Sequence, residues 1–123
     1  MKYILDFIKY GIKGFLLFWC PFGRAGRKEY GCFVLLVFVA AILVFLLAPE
    51  YMDRFNIAAD FKTVLLFIWI LENAAIRRGH DLGYNAGYTV LHNLKGSGFV
   101  ARLFQEKGSC LPNQYGPAPQ ENK

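Results

Sequence analysis

Charged side chains are scarce in this chain of 123 residues. They make up 19% of it while apolar residues make up 55%, against about 25% and 45–50% in ordinary globular domains. A composition this apolar excludes intrinsic disorder, and the length excludes an enzyme of several domains. The charge that is present is unbalanced, because 14 Lys and Arg oppose 9 Asp and Glu for a net charge of +5.

Cysteine and histidine are also scarce, and their spacing bears on catalysis and metal binding. Cys20, Cys32 and Cys110 include no C-x-x-C pair, and neither histidine lies at a metal-ligand spacing from a cysteine. His80 and Asp81 are adjacent, so on a helix their side chains point about 100° apart, and Asp81 does not orient His80 as a catalytic partner would. The sequence therefore predicts no enzyme, no cofactor and no metal site, and the odd number of cysteines favours reduced thiols.

Polar side chains are absent from residues 33–48, which read FVLLVFVAAILVFLLA. With residues 30–32 this segment covers 19 residues, and at about 1.5 Å per residue it nearly crosses a hydrocarbon core of about 30 Å. A soluble chain of this size rarely buries such a helix on all sides. We therefore predict a membrane span over residues 30–48, ended by Pro49.

A second and less uniform apolar segment covers residues 57–76. Its centre, residues 64–71, is unbroken, while Asp60, Lys62 and Glu72 lie toward its ends. A lysine near the end of a span can extend its ammonium group to the membrane surface. We therefore predict a second span, which forms a helical hairpin with the first.

The positive residues predict the orientation of this hairpin. Residues 1–30 contain six Lys or Arg and residues 77–78 add two, whereas the connection over residues 49–59 contains one Arg and two acids. Positive residues favour the cytoplasmic side of a membrane. We therefore predict that both termini are cytoplasmic and that the loop around residues 51–56 is outside.

The N-terminal segment predicts an amphipathic helix over residues 2–19. Lys2, Asp6, Lys9 and Lys13 are spaced at intervals of four, three and four, which places them on one narrow face of a helix. Two interpretations stay open, and they are compatible with each other. The helix either lies along the inner leaflet with its lysines toward the phosphates or packs on the spans of the protein itself.

The C-terminal third is more polar. His92, Asn93, Lys95 and Arg102 interrupt its apolar residues, and Gly96-Ser97-Gly98 divides it. We predict two short interfacial or re-entrant helices within residues 85–107 and leave a third span open, since each charge at mid-membrane costs about 2.5–3.5 kcal/mol. Residues 110–123 contain three prolines, which predict an extended tail.

Three segments together resemble a known family. They are residues 22–30 (FGRAGRKEY), residues 77–83 (RRGHDLG) and residues 112–117 (PNQYGP). Their order and spacing, over roughly residues 10–119, are similar to the small bacterial inner-membrane proteins called domain of unknown function 805. The chain has Gly31 where that family usually has Trp and Gly79 where it usually has Leu, and its last apolar segment is more polar. The resemblance implies a location in the bacterial inner membrane and supplies no established reaction.

A candidate site follows from the first two of these segments, because the hairpin brings both to the cytoplasmic ends of the spans. Its predicted members are Arg24, Arg27, Lys28, Glu29, Arg77, Arg78, His80 and Asp81. So many cations need anions, and the guanidinium group suits carboxylate and phosphate equally well. Two interpretations stay open: a structural ion-pair cluster that holds the hairpin together, or a site for the phosphate of a lipid headgroup.

The sequence as a whole predicts an all-α membrane protein, with one integral-membrane domain over residues 1–123. It comprises an N-terminal amphipathic helix, a transmembrane hairpin of two helices, polar C-terminal helices and a Pro-rich tail. We predict a non-enzymatic function through helix–helix or lipid contacts, with anionic lipid headgroups, a second copy of the chain or another membrane protein as partners. Nucleic acid is not a predicted partner, because the basic residues flank apolar spans and no recognition motif is present.

The alternative prediction is a subunit of an oligomeric channel or carrier. A conducting path normally places polar residues along one face of a span. Residues 33–48 offer none, and the second segment offers Lys62, Thr63, Glu72 and Asn73, all toward its ends. Transport is therefore the second choice.

Overall fold

The computed structural model describes residues 1–50, 60–96 and 98–123. Within these ranges it contains five α-helices, which are α1 (Lys2–Leu16), α2 (Arg27–Leu47), α3 (Phe61–Asp81), α4 (Ala86–Lys95) and α5 (Phe99–Gln105), and a 3₁₀ turn at Gln120–Asn122. The predicted all-α class is confirmed. The predicted outer loop at residues 51–56, the start of the predicted second span at residues 57–59, and Ser97 in the predicted break all lie outside the described residues.

The longest apolar segment forms α2, which begins one turn before the predicted residue 30. The carboxylate of Glu121 accepts the backbone N–H of Lys28 at 2.9 and 3.0 Å and so caps the first turn. The helix ends at Leu47, because Ala48 precedes a proline and helical geometry is disfavoured there. Among the helices in the described ranges, α2 alone is long and apolar enough to cross a membrane, and only 11% of its most apolar window is buried inside the protein.

Helix α3 has different bounds from the predicted second span, which ended at residue 76. Asp60, which that span included, is the N-cap of α3, and its side chain accepts the backbone N–H of Lys62 at 3.3 Å. At the other end Arg78 and Asp81, one turn apart, pair at 2.5 Å and favour continuation of the helix to Asp81. The helix therefore carries two residues of the second motif segment that pair with each other.

Helix α1 is three residues shorter than predicted and packs against α2. The chain turns after Leu16, where the indole N–H of Trp19 donates to the Leu16 carbonyl at 3.1 Å, and Pro21 disfavours further helix. Gly14 lies at the closest approach, where an added Cβ would be 2.6 Å from the Cβ of Phe33. One face of α1 thus packs on the protein itself, as one of the two interpretations expected.

Helices α4 and α5 occupy the segment predicted for two short helices. Asn85 caps α4 by accepting the backbone N–H of Tyr88 at 2.8 Å. Gly96 and Gly98 have φ angles of +67° and +72°, a left-handed conformation that ends α4 and precedes α5. The helices contain 10 and 7 residues, so at about 1.5 Å per residue neither crosses a core of about 30 Å.

The C-terminal segment is folded back, which corrects the extended tail expected for residues 110–123. Asn113 and Gly116 form an isolated antiparallel bridge with bonds of 3.1 and 3.0 Å, and Ala118 and Asn122 are buried. The prolines prevent a long helix, but Asn and Gly form the turn, and beyond it the side-chain amide of Asn122 donates to the buried Asp81 carboxylate. The segment therefore belongs to the folded protein.

The buried core is small and lies where the start of α2 meets the end of α3. It consists of Tyr30, Phe33, Ala74, Ala75, Phe99 and Leu103. On α5, Phe99 and Leu103 are buried, whereas Val100 and Phe104 are 39% and 41% exposed. We call this end of the molecule, which contains the three motif segments, the motif end, and we call residues 34–47 and 61–72 the apolar section.

Candidate functional site

Asp81, the last residue of α3, lies at the centre of the motif end. Its Oδ1 accepts from Nε and Nη2 of Arg24 at 3.1 and 2.9 Å, and its Oδ2 accepts from Nη1 of Arg78 at 2.5 Å. The side chains of all three are at most 1% exposed. This arrangement places one carboxylate between two guanidinium groups. None of the three buried charges is therefore unpaired, a condition that would cost several kcal/mol.

Backbone carbonyls are further acceptors for these two arginines. Arg24 donates to the carbonyls of Ser109 at 2.6 Å, Leu111 at 2.8 Å and Gly116 at 3.3 Å, and Arg78 donates to those of Leu103 at 2.8 Å and Glu106. Burial lowers the pKa of the Arg78 guanidinium, and the adjacent Asp81 carboxylate opposes that shift. The chain itself therefore supplies the acceptors that a phosphate would otherwise provide.

The C-terminal segment completes the surroundings of Asp81. The side-chain amide of Asn122 donates to both carboxylate oxygens, at 2.8 and 3.0 Å. Gly108 lies directly against the same carboxylate, and a Cβ at that position would overlap it. The Asp81 carboxylate thus accepts from two arginines and one amide, which come from three separate parts of the chain.

Glu29, in the first turn of α2, forms a second group of ion pairs. It pairs with Arg77 of α3 and, at 2.6 Å, with the ammonium of Lys13 from α1. The Glu29 and Arg77 side chains are buried, whereas half of the Lys13 side chain is exposed. This group joins α1, α2 and α3 at one point.

His80 lies beside both groups and contacts other partners. Its Nδ1 is 3.0 Å from the Gly23 carbonyl, and its ring stacks on that of Tyr115 with 3.8 Å between centroids. The side chain of Asn113 donates to the His80 carbonyl at 2.9 Å. Burial lowers the pKa of His80, while its bond to the Gly23 carbonyl has the opposite effect. His80 and Asp81 therefore serve separate contacts, as their adjacency on a helix predicts.

Two predicted members of the site lie outside its buried part. Arg27 is exposed and donates to the Gln105 carbonyl at 3.1 Å. Lys28 is also exposed, and its ammonium is 3.7 Å from the Asp6 carboxylate of α1. The structure therefore brings together six of the eight predicted residues, in two ion-pair groups with His80 alongside, and leaves these two at the rim.

Sequence reasoning missed the contribution of the C-terminal segment to the site. Asn113, Tyr115, Glu121 and Asn122 contact residues of α2 and α3, which the predicted extended tail did not include. The signal was present in residues 112–117, which carried the family resemblance even though their prolines suggested a tail. Lys13 was missed for a similar reason, since it was assigned to the polar face of α1 and not to Glu29.

The site's chemistry is that of fixed ion pairs and hydrogen bonds. Among the described residues no group of three His, Cys, Asp or Glu side chains is arranged to hold a metal ion. In the part of the chain that the structure describes, the buried arginines Arg24, Arg77 and Arg78 each contact a carboxylate. This arrangement can hold α2, α3 and the C-terminal segment in one fixed geometry.

Comparison with known proteins adds one finding to this geometry. The family described as "Protein of unknown function (DUF805)" matches residues 18–117. No curated protein and no solved structure matches the chain. The matched range contains all three motif segments, while α1 and residues 118–123 lie outside it.

Proposed function

Because the chain belongs to the DUF805 family of proteins of unknown function, we propose its function from its own geometry. It is a non-enzymatic protein of the bacterial inner membrane, in which the motif end holds a helical hairpin in one geometry. The apolar section of that hairpin contacts lipids and the helices of other membrane proteins. Both termini are cytoplasmic, and the protein crosses the membrane twice.

The observation that carries this proposal is the exposure of the apolar section. Along α2, Leu35 and every side chain from Phe38 to Leu47 are exposed, and Leu47 is 79% exposed. Leaving such a side chain in water forfeits about 1.5–3 kcal/mol relative to burying it. A bilayer or neighbouring helices would cover this surface, which supports a membrane location for α2.

Helix α3 is the proposed second span, over residues 61–76. It lies against α2 in the apolar section, where the rings of Phe38 and Phe67 are 6.0 Å apart in an edge-to-face arrangement. Lys62 lies near one end of this segment and Glu72 near the other, where Oε1 of Glu72 accepts from the side-chain amide of Asn93 at 2.6 Å. These positions toward the two ends of the segment support a second span, because charged residues near the ends of a span can reach the membrane surfaces.

For the arginine cluster, the geometry favours the structural interpretation over the binding of lipid phosphate. Asp81 and five backbone carbonyls accept from Arg24 and Arg78, and Glu29 pairs with Arg77. A phosphate would have to displace these acceptors. The proposed role of the cluster is therefore to position the helices.

The proposed protein partner is a membrane helix, from a second copy or from another protein. Ala40 and Ala41 of α2 are small and permit close helix approach, and they line an apolar groove with Val44, Phe67 and Ile70. Crosslinking in native membranes, followed by mass measurement, tests this role. A monomer at every concentration with no co-purifying protein would contradict it.

The two-span topology is tested by labelling single cysteines from each side of the membrane. Asp53→Cys and Gln120→Cys are placed separately in a cysteine-free background, and the native exposed Cys110 restored alone is the matched control. We expect Asp53→Cys to react in intact spheroplasts, and Gln120→Cys and Cys110 to react only after permeabilisation. Labelling of Gln120→Cys from outside, with Asp53→Cys protected, would reverse the orientation and overturn the scheme.

One observation favours a subunit of a channel or carrier as the second candidate. Oε2 of Glu72 is buried and has no hydrogen-bond partner among the described residues. An orphaned carboxylate oxygen in a membrane segment is typical of sites that hold a proton or a cation. Glu72→Gln would abolish ion flux in proteoliposomes if the protein conducts, and no flux from the wild type would eliminate this candidate.

A further inference from the structure

The exposed face of α1 combines an apolar strip with a row of lysines. Gly11 and Gly14 face α2, and beside that contact runs a strip of exposed apolar side chains, which are Ile4, Leu5, Ile8, Ile12, Phe15 and Leu16. At about 100° per residue, Lys2, Lys9 and Lys13 border this strip along the edge farther from Gly11 and Gly14, and from that edge the ammonium of Lys13 reaches Glu29 at the start of α2. An apolar strip with lysines along its edge is typical of a helix that lies in a membrane interface.

Two of these lysines are available for an external anion. Lys13 pairs with Glu29, whereas neither Lys2 nor Lys9 has an ion-pair partner among the described residues. The ammonium of Lys9 lies 5.7 Å from the centre of the Tyr10 ring. The lysines of α1 therefore differ from the buried arginines, whose acceptors the chain itself supplies.

The apolar surface continues beyond the end of α1. Trp19 and Phe22 are both exposed, and the indole N–H of Trp19 is already bonded to the Leu16 carbonyl. Trp is enriched at the boundary between lipid headgroups and acyl chains, where its ring is partly apolar. The turn after α1 thus presents a second apolar element, which includes a natural fluorescent probe.

We propose that the exposed face of α1 docks on the anionic phospholipids of the leaflet at the motif end. The apolar strip lies among the acyl chains, and Lys2 and Lys9 contact the phosphates. Charge complementarity selects this occupant, because a protein surface would have to supply both an apolar groove and a row of acids at the same spacing. The proposal rests on the proposed membrane location and deepens it, and α1 lies outside the family match at residues 18–117.

The experiment uses Trp19 fluorescence in the full-length protein reconstituted in vesicles. Trp69→Phe removes the other tryptophan and retains a ring against Phe18, with which Trp69 makes an edge-to-face contact. Phosphatidylglycerol or phosphatidylcholine brominated on its acyl chains quenches a tryptophan that it contacts. We expect brominated phosphatidylglycerol to quench Trp19 more strongly than brominated phosphatidylcholine at equal mole fraction, and added salt to remove the difference.

A matched pair of variants assigns that preference to α1. Lys2→Gln with Lys9→Gln should lower the relative association of phosphatidylglycerol by about fivefold per lysine. Lys95→Gln with Lys107→Gln removes the same charge from exposed positions outside α1 and should leave the preference unchanged. Equal losses in the two variants would show only a general charge effect and would overturn the proposal.

Two further outcomes would also overturn it, and a second reporter separates them from failure of the membrane location. Equal quenching by both lipids would mean no anionic preference, and no quenching by either would mean that the turn after α1 lies away from the lipid, in water or against a second copy. Leu43→Trp, with Trp19 and Trp69 replaced by Phe, reports whether α2 is in the bilayer. If lipid quenches the tryptophan at position 43, the proposed membrane location of α2 stands even when the α1 proposal fails. If lipid does not quench it, both the membrane location and the α1 proposal are rejected.

Discussion

The two ends of α2 differ in whether other residues of the chain cover and pair with their side chains. At its start Glu29 is buried and pairs with Arg77 and Lys13, and Phe33 is buried against α1 and the core. At its end Leu47 is 79% exposed. The start of the helix is thus completed by other parts of the same chain, whereas its end depends on what surrounds the protein.

This difference teaches which part of the molecule determines its geometry. Hydrogen bonds and ion pairs are directional, and a buried charge without its partner is strongly destabilising, so the motif end tolerates only one arrangement. Apolar contacts are not directional, so the proposed lipid or helix neighbours of the apolar section need no single geometry. The comparison predicts that carboxylate or packing changes have large effects at the motif end and small effects at exposed positions.

Loss of the Asp81 carboxylate is the change with the largest expected effect. Asp81→Asn leaves Arg24 and Arg78 buried beside a neutral amide, which should cost about 3–5 kcal/mol of unfolding free energy. Thermal unfolding of the purified protein in detergent measures it. Glu106→Gln is the matched control, because its side chain makes an exposed pair with Arg102 and such pairs contribute about 0–1 kcal/mol. Similar shifts for both variants would remove the distinction between the buried and the exposed carboxylates.

The next effect tests the packing of α1 on α2. Gly14→Ala places a Cβ 2.6 Å from the Cβ of Phe33, and such overpacking costs about 1–3 kcal/mol. Gly11→Ala is the control, because its Cβ would lie 3.6 Å from Leu36, an ordinary contact, and alanine favours helix by about 1 kcal/mol over glycine. We expect a lower melting temperature for the first variant and an equal or higher one for the second. A higher melting temperature for Gly14→Ala than for Gly11→Ala would mean that α1 does not pack on α2 at Gly14.

The smallest effect concerns His80 and pH. Burial lowers its pKa below the ordinary 6.5, so the unfolded chain binds a proton at a higher pH than the folded protein does. The contribution of neutral His80 to folding stability is therefore complete well above pH 6.5. It falls as the pH drops through 6.5 toward the pKa that His80 has in the folded protein. His80→Asn should flatten the melting temperature between pH 7.5 and 5.5 relative to wild type. An unchanged slope would assign the pH dependence to the carboxylates.

The sequence predicts the helices better than it predicts the contacts between them. Residues 33–48 contain no polar side chain, so α2 follows from hydropathy alone, and Gly96 and Gly98 mark the break between α4 and α5. The start of α2 lies before the predicted residue 30 because its cap is not local: Glu121, far along the chain, caps this helix. A periodic pattern does not contain such a partner.

The candidate site shows the same division. The convergence of Arg24, Arg77 and Arg78 follows from a hairpin with basic residues at its ends. Which carboxylate pairs with which arginine does not follow from the hairpin, since Asp81 and Glu29 are equally suited to each arginine. The roles of Asn122 and of the backbone carbonyls required the fold of the C-terminal segment, because proline content predicts where a helix stops and not where the chain goes next.

The separation in sequence between Arg24 and its acceptors bears on the order in which the protein assembles. Its bonds to Asp81 and to the Gly116 carbonyl join positions 57 and 92 residues apart, whereas the bonds within α2 and α3 join neighbours four residues apart. Contacts between distant residues form late, because the intervening chain loses entropy before they are made. We therefore expect both long helices to form before the arginine cluster closes, so that Arg24 remains hydrated until the C-terminal segment arrives.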